Sequence, residues 1–275
     1  MSPYRVAAVL AASLLSVFLA GCPPCPEERK AGPALAVEDA ALERRDGDCD
    51  SAGNGCATFR VAYPRIARAG SAAAADSLNA GVASFVQNIH GGPRTAASAA
   101  EAAEAFLQQY RSARAAAPAG PGWRLDRRVT VVFDSVGIVT LRMEEHSFTG
   151  GAHGNSAAFL RMFDSRTGRR LTLQHLLLPG YEPTFRRLAE QAFRASRKIP
   201  PAQGLAEAGF RFDGKGFALP NNIGAVPDGI LLVYNPYEAA PYAHGGTECA
   251  VPFDSLQRLI RRDGPLSPLA PWPRR

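Results

Sequence analysis

The four residues Leu19-Ala20-Gly21-Cys22 close the N-terminal segment of this chain and constrain it more than any other feature. One positive charge, Arg5, precedes a weakly polar to apolar run from Val6 to Ala20. Small residues directly before a cysteine are typical of bacterial lipoprotein signals, in which the thiol receives a diacylglyceryl group and cleavage makes the cysteine the first mature residue. A membrane-spanning helix needs roughly 20 apolar residues, which is more than this run supplies. We therefore expect export, acyl chains on Cys22, and a folded part in an oxidising compartment.

The remaining chain divides into a tether, a domain and a tail. Residues 1–21 are the expected signal peptide, and residues 22–48, rich in Pro, Ala, Glu and Arg, are predicted to form a flexible tether. Residues 49–262 are predicted to form a single domain, with an N-terminal part to about residue 120 and a second part from residue 121. The proline-rich tail, residues 263–275, is expected to be disordered. Pro23 stands where an inner-membrane retention signal would have Asp, so in a two-membrane bacterium we expect the outer membrane.

Composition favours a folded envelope domain over a nucleic-acid-binding protein. Hydrophobic residues make up 46% of the chain, and the formal net charge is +6. The positive charge is nearly all arginine, in clusters no longer than pairs, so the sequence has no long basic stripe. Export and scattered charge argue against nucleic acid as a partner.

Five cysteines are present, and Cys22 is assigned to lipid. Cys49 and Cys56 flank Asp-Ser-Ala-Gly-Asn-Gly, a run of turn formers that can bring two sulfurs together, so we predict a disulfide between them. Cys25 and Cys249 are left as free thiols or as a second pair. Paired CxxC motifs, which would indicate zinc, are absent from the sequence.

Periodicity predicts an α+β fold, an antiparallel β-meander sheet packed with several helices. Helical spacing of apolar residues occurs in 71–89, 95–116 and 181–199. Strand-like alternation occurs near residues 57–63 and repeatedly between 123 and 173, with turns between the strands. Because no βα unit repeats, the pattern is typical of α+β rather than α/β proteins.

Two unusual strings lie in the second part of the domain. The first is Phe148-Thr149-Gly150-Gly151-Ala152-His153-Gly154-Asn155, which is too rich in glycine for a helix. The second, residues 234–246, is a loop with three tyrosines and a terminal His-Gly-Gly. It is either an aromatic platform for a ligand or a loop packed on the sheet by its own tyrosines. The binding candidates in these strings are Gly150, Gly151, His153, Asn155, Tyr237, Glu238, Tyr242 and His244.

These strings and their order resemble a known envelope domain family. It is shared by the lysozyme-sensing extracellular domain of the sigma-V anti-sigma factor and the N-terminal region of peptidoglycan deacetylase C. Three further motifs carry the resemblance, which covers residues 57–260: Tyr63-Pro64, Leu78-Asn79, and the Asp-x-x-Thr-Gly turn at residues 164–168. The resemblance implies an α+β domain that binds or senses at the cell wall, with peptidoglycan or a lysozyme-like protein as partner.

The resemblance does not bring a catalytic role with it. We expect neither a sigma-binding segment before Cys22 nor a counterpart of the deacetylase's separate catalytic domain after the family domain. We therefore expect a binder with no catalytic residues and no cofactor. The alternative is a metal-assisted hydrolase of wall glycan, because Glu144 and His146 share one face of a predicted strand and His153 follows the glycine turn.

Overall fold

The computed structural model describes residues 35–51, 53–212 and 216–270. The strands in this part of the chain are β1 (Ala36–Asp46), β2 (Ala57–Arg68), β3 (Trp123–Ser135), β4 (Ile138–Phe148), β5 (Asn155–Asp164), β6 (Arg170–Leu171), β7 (Asn222–Val226), β8 (Gly229–Tyr234) and β9 (Thr247–Pro252). The α-helices are α1 (Ala72–Val86), α2 (Ala99–Ala116), α3 (Leu173–Leu176), α4 (Glu182–Ser196) and α5 (Phe253–Leu256). The α+β expectation is confirmed at this level: strands and helices occur in blocks, and most strand pairs are antiparallel.

A large sheet has the strand order β1-β2-β3-β4-β5-β6. Strands β3 to β6 run antiparallel in sequence order, which is the predicted meander. Strands β2 and β3 are parallel, which the prediction did not include. Parallel neighbours need a long crossover, and here α1 and α2 supply it.

Helices α1 and α2 cover one face of the large sheet. Side chains alternate along a strand, so Val139, Leu141 and Met143 of β4 point to this face, and none of the three is exposed. They belong to the same buried cluster as Leu78 of α1 and Phe106 of α2. Ser71 caps α1 by accepting a hydrogen bond from the Ala74 amide.

A small sheet, β7-β8-β9, packs on the opposite face of the large sheet. Gly224 of β7 lies so close to β4 that a Cβ there would be 2.8 Å from Cγ2 of Thr140. Helix α4 covers the small sheet, and its Phe193 ring lies 5.2 Å from the ring of Tyr234 on β8. The strand ends that meet across these two sheets form the cleft described below.

The disulfide between Cys49 and Cys56 is present, with a Cα–Cα distance of 4.9 Å. Cys249 is a free, buried thiol, and burial raises its pKa to about 12. Cys22 and Cys25 lie outside the described residues, as does the signal segment.

Two stretches outside the predicted domain belong to the fold. Part of the expected tether forms β1, which pairs with β2 along its whole length, from Ala36 to Asp46. Most of its side chains are exposed because it is an edge strand, so backbone pairing rather than apolar burial holds it in place. Part of the expected disordered tail is also ordered, with Leu266 fully buried in the same apolar cluster as Phe193 of α4 and Tyr234 of β8. Both stretches belong to the same compact unit as the other described residues.

In the described ranges, no helix is both long enough and apolar enough to span a membrane.

Candidate ligand-binding cleft

A polar cleft lies where the small sheet meets the exposed face of the large sheet. It encloses a volume of about 250 Å³. Strands β4 and β5 form one wall, while the end of β8, the loop after it and the start of β9 form the other. The lining residues are Arg142, Glu144, His146, Ser156, Ala157, Ala158, Val233, Tyr234, Asn235, Pro236, Gly246, Thr247 and Glu248.

Arg142 joins the two walls. Its two terminal nitrogens donate to the two carboxylate oxygens of Glu248, at 2.9 and 2.6 Å. Its Nε donates to Oε1 of Glu144 at 3.0 Å. The bidentate bond from Glu248, assisted by Glu144, raises the pKa of Arg142 further above its ordinary value although partial burial opposes this. The guanidinium therefore stays charged, and two carboxylates already compensate it.

His146 lies beside Glu144 in the cleft but is bonded to a different neighbour. Its Nδ1 shares a hydrogen bond of 3.0 Å with Oγ of Ser156, the residue directly opposite on β5. His153 is bonded elsewhere, so the Glu144, His146 and His153 set of the hydrolase alternative is not assembled. More generally, within residues 35–270 as far as the structure describes them, no three His, Cys, Asp or Glu side chains are placed to hold a metal ion.

The glycine turn, residues 149–154, connects β4 to β5 beside the cleft. Gly150 and Gly151 have φ angles of +91° and +101°, a region that side chains with a Cβ rarely adopt. His153 donates from Nδ1 to the carbonyl of Gly154 at 2.9 Å. The two glycines thus allow the reversal, and the imidazole ring is fixed next to it.

The glycine turn and the second string meet through Tyr242. The phenol ring of Tyr242 stacks on the imidazole of His153, with ring centroids 3.8 Å apart and planes at 16°. Its hydroxyl donates to the carbonyl of Gly154 at 2.6 Å. The ring of Tyr237 lies 5.7 Å from that of Tyr242 and is 65% exposed. These three rings, His153, Tyr242 and Tyr237, form an aromatic rim next to the cleft.

The tyrosine loop, residues 235–246, is held from both sides. Asn235 mimics a strand residue: its Oδ1 accepts from the Ala158 amide at 2.7 Å, and its Nδ2 donates to the Ala158 carbonyl at 3.0 Å. Glu238 accepts from the Asn235 amide at 2.9 Å. At the other end, Arg197 donates to the carbonyls of His244 and Gly246. The loop is therefore fixed before any ligand arrives.

None of the eight predicted binding candidates is among the residues that line the cleft, and two of them, His244 and Asn155, also lie outside the aromatic rim. The His244 ring packs edge-on against Phe210, with centroids 5.5 Å apart, on the side of α4. Asn155 is exposed at the start of β5 and pairs with Ser147. Neither residue is among those that line the cleft.

Three residues that line the cleft, Arg142, Glu248 and Asn235, were not among the candidates predicted from the sequence. Arg142 shares the strand face of Glu144 and His146, so alternation along β4 indicates its side of the sheet. No sequence signal pairs it with Glu248, which is 106 residues away.

Glu145 belongs to a different cluster on the opposite face of the large sheet. Its Oε2 accepts from Nε of Arg127 at 2.7 Å, and the side chain of Arg127 is 1% exposed. Its Oε1 lies 3.2 Å from Nδ1 of His90. Burial raises the pKa of Glu145, but the bond to His90 and the charge of Arg127 outweigh it, so the pKa is below its ordinary value. This cluster connects the loop after α1 to the large sheet, and it takes no part in the cleft.

Two protein-family models match different parts of this chain. Residues 51–156 match the family described as deacetylase PdaC, and residues 174–254 match the protein family of unknown function DUF3298. A search among curated proteins finds no match.

Two crystal structures share the fold. One is a DUF3298 family protein from Pseudomonas aeruginosa, with a TM-score of 0.64 and 23% identity over 82% of this chain and 94% of that one. The other is a DUF3298 family member from Bacteroides fragilis, with a TM-score of 0.65 and 21% identity over 83% of this chain and 95% of that one. The chain is therefore similar to both families over different parts of its length, and it shares the fold of these two DUF3298 proteins.

Proposed function

We propose that this protein is a noncatalytic cell-envelope protein, anchored by acyl chains on Cys22, whose cleft binds peptidoglycan. The observation that carries the proposal is the aromatic rim beside the polar cleft. On the rim the Tyr237 ring is 65% exposed, while Glu144, Ser156 and Asn235 line the cleft with polar groups. Sugars need both kinds of contact, because they have apolar ring faces and many hydroxyl groups.

The size of the cleft favours a wall fragment over a lysozyme-like protein. A cavity of about 250 Å³ suits one or two sugar or amino-acid units. A stable protein partner would instead cover roughly 800 Å² on each side. The fixed tyrosine loop supports the same proposal, since a preformed site loses little entropy when a small ligand binds.

Binding to purified sacculi tests the proposal. Residues 23–275 would be incubated with insoluble peptidoglycan and, separately, with immobilised lysozyme, and the retained fraction measured. We expect retention on peptidoglycan, lost in Tyr242→Ala and Tyr237→Ala but kept in Leu178→Ala, which removes an exposed apolar side chain elsewhere.

Three results would contradict the proposal. If the protein were retained on lysozyme alone, its ligand would be a lysozyme-like protein rather than peptidoglycan. If the rim variants were retained as well as the wild type, the binding site would lie outside the aromatic rim. Release of soluble wall fragments by the wild-type protein would show a chemical step that the noncatalytic role excludes.

A further inference from the structure

The charges that line the cleft are unequal. Two carboxylates, Glu144 and Glu248, face one guanidinium, Arg142. All three side chains are partly accessible, with exposed fractions of 30%, 44% and 20%. Among the described residues, Oε2 of Glu144 has no hydrogen-bond partner, so this oxygen is available to a ligand. The lining therefore carries surplus negative charge and a vacant acceptor.

Arg142 is poorly placed to receive an anion. A ligand phosphate or carboxylate would have to displace the bidentate Glu248 and then lie against Glu144. Like charges so close would repel each other. The cleft is thus unsuited to the anionic groups of the wall, although the chain as a whole is basic.

The aromatic rim favours the opposite charge. An ammonium group is attracted to the face of a tyrosine ring as well as to a carboxylate. Tyr237, whose side chain is 65% exposed, presents such a face on the rim, and the Ser156 hydroxyl and Asn235 amide add neutral polar groups to the carboxylates that line the cleft. Carboxylate, ring face and neutral acceptors together make a site for a primary amine.

Resting on the proposed function, we infer that the cleft selects wall fragments that carry a free ammonium group. This chemistry has two sources in a cell wall: an amino sugar without its acetyl group, and the side-chain amine of a diamino acid in the peptide. An acetylated amine lacks the charge, so acetylation at either position should weaken binding.

Calorimetric titration of residues 23–275 with four probes tests this inference. The probes are a glucosamine tetrasaccharide, the N-acetylglucosamine tetrasaccharide, a lysine-containing tripeptide and its Nε-acetyl derivative. We expect at least one free amine to bind tenfold or more tightly than its acetylated counterpart, and the pair that shows this identifies the source. Added salt should weaken only the amine complex, because it screens the ion pair.

Carboxylate variants locate the selection. Glu144→Gln and Glu248→Gln should reduce the preference for the amine to threefold or less, because each removes one negative charge. Glu43→Gln is the matched control: Glu43 is also paired with an arginine, Arg60, but lies on β1, away from the cleft. The control should keep the full preference. Should a variant fail to fold, the salt titration of the wild-type protein still tests whether an ion pair causes the preference.

The outcomes separate this inference from the proposed function. Equal affinity for acetylated and free probes, with loss of binding in Tyr242→Ala, would overturn amine selection and leave peptidoglycan binding intact. Tighter binding of the acetylated probe, or a preference that both Gln variants leave unchanged, would also overturn it. Failure to bind any probe or sacculi would overturn both.

Discussion

Replacing Glu145 by Ala should destabilise this fold far more than the same replacement of its neighbour Glu144. The two side chains point to opposite faces of β4. Glu145 compensates Arg127, whose side chain is 1% exposed and lies between the rings of Phe59 and Phe85. Glu144 lies in the open cleft, where Arg142 keeps Glu248 as a second partner. Only the loss of Glu145 leaves a buried charge, that of Arg127, without its carboxylate partner.

The expected magnitudes follow from burial. Breaking a buried ion pair by removing one partner costs about 3–5 kcal/mol, and we expect about 3 kcal/mol because Glu145 is 22% exposed. For a domain of this size that corresponds to a fall in melting temperature of roughly 6–12 °C. A surface pair contributes about 0–1 kcal/mol, so Glu144→Ala should shift the melting temperature by at most about 4 °C.

Thermal and urea unfolding of both variants, with ligand binding measured alongside, checks this prediction. Glu145→Ala should lose stability and keep its ligand affinity below the melting transition, whereas Glu144→Ala should do the reverse. In a double-mutant cycle, Arg127→Met should recover part of the loss in Glu145→Ala, because it removes the uncompensated charge. Equal loss of stability in both single variants, or no recovery in the double variant, would refute the assignment.

Lowering the pH should remove the stabilisation that ionised Glu145 provides. The pKa of Glu145 is lowered in the folded protein, so the folded state binds its proton less readily than the unfolded state does. The stabilisation is therefore complete above the unfolded pKa of about 4.3 and is lost as the pH falls through the lower folded value. The difference in stability between wild type and Glu145→Gln should shrink over that range; a constant difference would contradict the linkage.

Three further predictions concern the anchor, the disulfide and the glycine turn. Cys22→Ala should leave an unprocessed precursor without acyl chains, and mass spectrometry that finds cleavage elsewhere would contradict the anchor. Cys49→Ala should cost roughly 2–3 kcal/mol in the chain-entropy model for so short a loop, as measured by denaturant unfolding; peptide mapping that pairs Cys56 with Cys249 would contradict the predicted pairing. Gly151→Val should cost about 1–3 kcal/mol through backbone strain alone, since no atom lies within 4 Å of the added Cβ; an unchanged melting temperature would mean that the turn is not fixed.

Local patterns predicted the elements of this fold well. The periodicity of residues 71–89 indicated a helix that the structure places at Ala72–Val86, ending before the His-Gly-Gly-Pro sequence. The alternation from Trp123 onward indicated the meander, and β3, β4 and β5 follow it. Such patterns succeed because they depend on residues a few positions apart.

Strand β1 and the parallel pairing could not be predicted in this way. The sequence from Ala36 to Asp46 has charged residues where a half-buried strand would have apolar ones. An edge strand needs only backbone hydrogen bonds from one neighbour, and side-chain patterns do not record them. Likewise, the crossover between β2 and β3 depends on contacts across more than 50 residues of chain.

The candidate site was likewise predictable where it depends on local sequence and not where it depends on contacts distant in the chain. The glycine string and the tyrosine string were recognised because glycine and aromatic residues are unusual at that density. Their meeting through His153 and Tyr242 joins residues 89 positions apart, and only the fold provides it. The charge of the cleft depends on Arg142 and Glu248, which no local pattern connects.

The way the tyrosine loop is held explains why so polar a segment can serve as a binding surface. A loop of this length would lose considerable conformational entropy if it became ordered only on binding. Here the cost is met during folding: Asn235 bonds both backbone groups of Ala158, and Arg197 bonds carbonyls at the far end. Tyr242 adds a third attachment through the carbonyl of Gly154. Because the glycine turn and the loop fix each other, a change in either one should alter the aromatic rim, and the two strings act as one site.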